Sequence, residues 1–214
     1  MPAGDLQGEE LLTNQLVILV GGLLTAGKDE FADHLVREHN FAKLGMSDTL
    51  AEALRRLNPI IGTVTDDNKD LVGPYRYQEK LAEVGYVGAK KNDEVRRLLQ
   101  VLGTEVGREL FGQNFWVDMA ENRIRELTDA GRDVVLTGAR FPNEVELADT
   151  INQKEKAAAT TVWVDRPGLE QAGHASETSV SSKDFQYTLF NNGTLQELYT
   201  ASDSLLRAIR TDYL

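Results

Sequence analysis

Apolar and polar positions along this chain follow two rhythms in turn. Unbroken apolar runs at 16–20 (LVILV) and within 133–137 (DVVLT) are rich in β-branched residues and predict strands of a parallel sheet covered on both faces. TTVWVD at 160–165 and QYTLF at 186–190 read as two more, and 41–46 as a short one. Between them the period lengthens to that of a helix. In 29–39, Phe31 and Leu35, and Ala32 and Val36, recur at four-residue spacing while Glu30, Asp33 and Arg37 take the other face. Leu50, Leu54 and Leu57 carry a second helix, stopped by Pro59. A stripe through Val95, Leu98, Leu102, Val106 and Leu110 predicts one helix over 94–110, and another covers 115–130 before Gly131. Thr194 and Glu197 form a capping box before the last helix, striped by Leu198, Leu205, Leu206 and Ile209. Residues 60–93 keep neither rhythm.

Some five strands separated by helices imply right-handed crossovers and a doubly wound α/β sheet, with ligands at the carboxyl ends of the strands. The reading is one domain over 16–214 after a flexible segment at 1–15. Glycines at 62, 73, 85 and 88 make 59–93 an insertion or mobile flap.

The first strand runs straight into GGLLTAGKD at 21–29. Gly22, Gly27 and Lys28 stand in the G-x-x-x-x-G-K spacing of a phosphate-binding loop, between the strand and the helix that such a loop requires. Glycines let successive N–H groups turn inward, the helix N-terminus adds positive potential, and Lys28 brings a mobile charge to the outer phosphates. The usual next residue is Ser or Thr, whose hydroxyl holds magnesium; here it is Asp29, followed by Glu30. Asp29 is read either as a carboxylate ligand for the metal or as a first-turn acid favoured by the helix dipole.

Composition narrows the classes. The chain has 214 residues, 41% of them hydrophobic, a formal charge of −11 and no cysteine. Disulfides and thiolate metal sites are excluded. The negative charge argues against sequence-independent binding to nucleic acid or an anionic membrane, so positive charge for anionic ligands must be gathered locally. The N-terminal residues lack the basic start and apolar stretch of a signal peptide, and the expectation is a soluble, cytoplasmic protein.

Four stretches carry a family resemblance: GGLLTAGKDEFAD at 21–33, VRRLLQVLGTEVGRELFGQNFWV at 95–117, TGARFPNEVEL at 137–147, and the ordered set RPG at 166–168, HASE at 174–177 and NNGTLQEL at 191–198. They resemble the deoxynucleoside monophosphate kinases of bacteriophages, with Glu30 where that family usually has Thr and Gly138 where many members have Asp. The resemblance implies a P-loop kinase fold, a three-layer α/β/α arrangement on a parallel sheet. It also implies ATP and a deoxynucleoside monophosphate as substrates, Mg2+ as cofactor, and the host cytoplasm if the gene is a phage's; it leaves a homodimer open. Other classes to be tested are a kinase of another small molecule, such as dephospho-coenzyme A, and a non-catalytic nucleotide-binding protein.

Candidate site residues follow. For ATP they are Gly22, Thr25, Ala26, Gly27, Lys28, Asp29, Glu30 and Arg166, the last opening a lid at 166–183. Arg140 follows a buried strand, faces the loop, and carries a guanidinium fork suited to phosphate; its alternative is an internal ion pair with Glu144. Arg108 is read as an acceptor-phosphate ligand or a solvated helix arginine. Asp48 is an acceptor or metal contact, or a helix cap. Trp116 stacks on a base or belongs to the core, and Glu144 completes the acceptor set. Lys28 and Arg140 are the catalytic pair. Lys90, Lys91, Arg96 and Arg97 form an acceptor-side patch or a solvated face. His34 and His39, five apart on one helix, are poorly spaced for a shared ligand and are read as structural or solvated.

Overall fold

The computed structural model describes residues 15–65, 71–154, 157–169 and 179–213. Along the chain these form β1 (Gln15–Gly21), α1 (Lys28–His39), β2 (Ala42–Gly45), α2 (Asp48–Leu57), β3 (Ile60–Thr65), β4 (Leu71–Arg76), α3 (Tyr77–Ala89) and α4 (Asp93–Gln100). A π-helical stretch (Val101–Leu110), α5 (Phe115–Asp129), β5 (Val134–Thr137), α6 (Pro142–Val145), α7 (Leu147–Lys154), β6 (Ala157–Asp165), β7 (Tyr187–Phe190) and a last helix (Leu195–Tyr213) follow.

Five strands pair in the order β2-β5-β1-β6-β7, every neighbour parallel. β1 is central because its side chains are apolar on both faces. Leu16, Ile18 and Val20 pack with Phe31 and Leu35 of α1 and with Leu198, Leu206 and Ile209 of the last helix. Val17 and Leu19 point the other way, into Val117 and Ile124 of α5 and Ile151 of α7. All five are fully buried, and at roughly 1.5–3 kcal/mol for each such side chain this strand anchors both layers. The doubly wound sheet expected from the sequence is the one observed. Among the described residues, no helix is long and apolar enough to cross a membrane.

Two stretches depart from the sequence reading. The pattern at 60–93 looked irregular, yet Ile60–Thr65 and Leu71–Arg76 pair as an antiparallel ribbon, and Tyr77–Ala89 is helical with a break at Gly85. In this unit Ile61, Tyr77 and Ala89 pack with Leu54 of α2 and Val95 of α4 into a small separate core, so the periodicity is weak because few positions face inward. The stripe at 94–110 is not one α-helix either, since it widens to π geometry from Val101. Trp116 accounts for the local distortion. Its Nε1 donates to the carbonyl of Gly103 at 2.9 Å, and a side chain inserted in the ladder is a recognised cause of such widening. The N-terminal segment before Gln15, and residues 170–178 of the expected lid, His174 among them, lie outside the described residues.

Candidate active site

The site forms where the sheet's carboxyl edge meets the first turn of α1. Gly22 approaches the carbonyl of Val164 so closely that a Cβ would stand 2.5 Å from it. Gly27 closes the loop with φ +103° and would drive a Cβ to 2.5 Å from the Asn191 amide. That amide is occupied, because Nδ2 of Asn191 donates to the carbonyl of Ala26 at 2.8 Å while the backbone N–H of Asn191 binds Asp165. The segment after β7 therefore braces the loop. Thr25 is exposed with φ +63°, and its carbonyl accepts from Arg166 at 3.5 Å. The Lys28 ammonium folds back on the loop, donating to the carbonyls of Gly22 at 2.9 Å and Leu23 at 2.5 Å.

The two acids beside the lysine are drawn to opposite sides. Asp29 pairs with Lys43 at 3.1 Å, and Lys43 also binds Asp33 at 2.9 Å. Burial pulls the Lys43 pKa down, but its bonds to Asp33 and Asp29 outweigh burial and leave it above the usual value. Glu30 accepts from the Tyr199 hydroxyl at 3.2 Å. Both acids still line the same cavity of about 450 Å³ as Thr25, Gly27 and Lys28, to which Arg166 and Asn191 also contribute.

Arg140 reaches the loop from β5. Beyond Thr137 the N–H groups of Gly138 and Ala139 both donate to the carbonyl of Val20, at 3.0 and 3.2 Å, which turns the chain toward the start of the loop. The ion pair with Glu144 weighed as an alternative does not form. Glu144 instead accepts the backbone N–H groups of Arg140 at 2.8 Å and Phe141 at 3.3 Å, and pairs through its other oxygen with Arg108 at 2.6 Å. That pair is buried, with side-chain exposures of 13% for Arg108 and 5% for Glu144, so Arg108 is not a solvated helix arginine. Burial pushes the Glu144 carboxyl above its ordinary range, against the opposing pull of the Arg140 N–H and of Arg108. The Arg108 guanidinium also lies 4.1 Å from the Phe141 ring centroid.

A second cavity of about 700 Å³ opens on the far side of Arg140. Arg108, Glu144, Trp116 and Lys90 line it, with Leu50 and Leu99 giving it an apolar wall. Asp48 is not the helix cap, a position held by Ser47, but the first residue of α2, and its carboxylate reaches back to accept the N–H of Gly45 at 2.7 Å; Ser47 does line the cavity. Of the suspected basic patch, Lys90 faces the cavity and lies 3.9 Å from the Tyr86 ring centroid, while Arg96 and Arg97 pair on the exposed face with Asp93 and Glu94. Sequence reasoning passed over Tyr86, Gln100 and Thr104 as cavity residues; the LGTEVGR stretch was the available signal for Thr104.

His34 and His39, read as structural or solvated, belong to one hydrogen-bonded cluster in which His34 is buried. Their Nε2 atoms meet the same oxygen, Oδ1 of Asp203 on the last helix, at 2.7 and 2.8 Å. Five residues apart on one helix, they converge because the third group comes from another element.

Residues 40–201 match the family model described as deoxynucleotide monophosphate kinase. A deoxynucleotide monophosphate kinase of Escherichia phage RB69 is 30% identical over 115 residues, 53% of this chain and 45% of that protein. A deoxynucleoside-5′-monophosphate kinase of Escherichia phage T5 is also 30% identical over 115 residues, 50% of this chain and 45% of its own length. The matches thus span a little under half the length of these two relatives. An uncharacterized protein of Ictalurid herpesvirus 1 is 27% identical over 202 residues, 92% of this chain and 67% of that protein. Among solved structures, an APS kinase of Mycobacterium tuberculosis aligns with a TM-score of 0.49 at 14% identity, over 91% of this chain and 98% of its own.

Proposed function

The chain belongs to the deoxynucleotide monophosphate kinase family, and from that premise we propose that it transfers the γ-phosphoryl group of ATP to the phosphate of a deoxynucleoside 5′-monophosphate. The family match bears out the resemblance carried by the sequence motifs. One observation carries the proposal furthest. Arg140 lines the cavity beside the loop, the larger cavity, and a narrow cleft that Gly22 and Lys28 also border. A guanidinium shared by two separate cavities is what an in-line transfer between two phosphates needs, because charge develops between donor and acceptor.

In this reading the ATP phosphates lie along the loop at residues 22–28, and Lys28 exchanges its two carbonyl contacts for phosphate oxygens. The monophosphate enters the larger cavity, where Arg108, held rigid by Glu144, receives the acceptor phosphate and Trp116 with the apolar wall receives the base. An acceptor phosphate is already ionised at neutral pH, so no strong base is required. The donor set fits magnesium: two carboxylates border the loop cavity, and Mg2+ is commonly held by one or two carboxylates together with phosphates and water. Asp29 would hold it in competition with Lys43, and the ion would neutralise charge on the phosphates.

A coupled assay with ATP, Mg2+ and each common deoxynucleoside monophosphate tests the proposal, with dephospho-coenzyme A as a control. Turnover of a deoxynucleotide supports it; turnover of the control alone, or ATP binding without turnover, overturns it. Arg140→Ala and Arg140→Lys should both lose about 10³- to 10⁵-fold in rate with unchanged melting temperature, since lysine keeps the charge but not the fork. Activity within a few-fold of the parent in either variant would remove Arg140 from the chemistry.

A further inference from the structure

On the side of α1 away from the acceptor cavity, His34, His39 and Asp203 bring one ligand atom each to within 4.8 Å of one another. We infer that these three residues form a binding site for a divalent transition-metal ion, Zn2+ being the chosen probe, distinct from the magnesium that accompanies ATP. The chain contains only three histidines, and two of them meet a single carboxylate oxygen. Two imidazoles and a carboxylate suit zinc and its neighbours, whereas magnesium and calcium favour oxygen donors. The site is half open: His34 is 5% exposed at its side chain, His39 27% and Asp203 42%, so an ion can enter from solvent and keep water in a remaining position.

The geometry is close to what binding requires. Bonds of about 2.0–2.1 Å in tetrahedral geometry separate ligand atoms by about 3.3 Å, so the present contacts of 2.7 and 2.8 Å must open by about half an ångström, and the two imidazole nitrogens, up to 4.8 Å apart, must close by up to about 1.5 Å. On binding, each neutral imidazole moves its hydrogen from Nε2 to Nδ1 and presents the Nε2 lone pair. His34 is steadied for this by Tyr199, stacked on its ring at 4.5 Å. One group opposes it: Nη2 of Arg37 lies 3.4 Å from Nδ1 of His34 and must turn away when that nitrogen carries the hydrogen. Arg37 is half exposed and already bonded to Glu38, so it can do so. The ion would staple α1, which begins at Lys28, to the last helix, which follows the Asn191 brace.

The test is calorimetric titration of the full chain with ZnCl2 in the absence of nucleotide, beside melting curves with Zn2+ and after EDTA, and visible spectra with Co2+. The expected results are saturable binding of one ion per chain, a higher melting temperature reversed by EDTA, and the intense absorption of four-coordinate Co2+. His39→Ala and Asp203→Asn should each weaken binding roughly 10-fold or more, and Arg37→Ala should tighten it. These two ligand variants are chosen because His34 is buried and its replacement risks the fold. Absence of saturable binding, or binding and spectra unchanged in His39→Ala and Asp203→Asn, overturns the site; the triad is then only a hydrogen-bonded clamp. Because nucleotide is absent, failure here leaves the kinase reading untouched.

Discussion

Removing the Glu144 carboxylate should damage the protein far more than its single ion pair suggests. In Glu144→Ala, Arg108 is left charged at 13% side-chain exposure without its partner, and the N–H groups of Arg140 and Phe141 lose their acceptor. Breaking a buried pair from one side costs about 3–5 kcal/mol. At roughly 2–4 °C per kcal/mol for a chain of this size, that is a fall in melting temperature of about 6–20 °C. The double variant Arg108→Met with Glu144→Leu removes the stranded charge but not the orphaned N–H groups, each worth about 1–3 kcal/mol, so it should recover part of the loss and no more. Urea denaturation of parent, single and double variants measures this directly. A Glu144→Ala loss below about 1 kcal/mol, the value of a surface pair, or a double variant no better than the single, would refute the reasoning. The pH dependence follows from the same burial. Because the Glu144 pKa is raised above 4.5, the folded state holds its proton to higher pH than the unfolded chain. Its contribution to stability is therefore lost as pH rises from about 4.5 through the folded-state value, and Glu144→Gln should flatten that part of the stability curve.

If Lys28 follows the transferring group as proposed, Lys28→Ala should lower turnover by orders of magnitude while the protein stays folded; near-normal steady-state rates in a folded variant would remove it from the site. Asp29→Ala should raise the magnesium concentration needed for half-maximal rate more than it raises the ATP requirement, and Glu30→Ala should matter less; unchanged magnesium dependence would put the metal elsewhere. Gly27→Ala combines a φ of +103° with the contact to Asn191 and should cost about 1–3 kcal/mol of stability. Adding Asn191→Ala should relieve the contact but not the backbone strain, so full recovery of the melting temperature in that pair would show that the strain term is negligible.

The sheet was legible because buried parallel strands write themselves as continuous apolar runs, and the loop because its chemistry needs fixed glycines and a lysine in a strand-to-helix setting. Where few side chains face inward, as in β3, β4 and α3, the pattern thins and the elements disappear from view. α6 and α7 were missed for length, at four and eight residues. The hardest features to read were pairings across the chain. Arg108 meets Glu144 36 residues away, and His34 meets Asp203 169 residues away. Spacing on one helix says nothing about a partner on another, so Arg108 reads from sequence as either an acceptor-phosphate ligand or a solvated arginine, and the histidines look unrelated.

The strand order makes the sheet a ruler. The loop leaves β1, Arg140 follows β5 on one side, and Arg166 follows β6 on the other. Neighbouring strands in any sheet stand about 4.8 Å apart, so the ends of β5 and β6, from which the two arginines follow, straddle β1 with a pitch of about 10 Å that backbone hydrogen bonding, not side-chain choice, sets. Loops can lengthen, and cavity walls can change shape to admit a different base, without altering that pitch. A change of acceptor should therefore be achieved in α3, the π-helical stretch and the loop after β2, while the three strands that hold the gauge stay as they are.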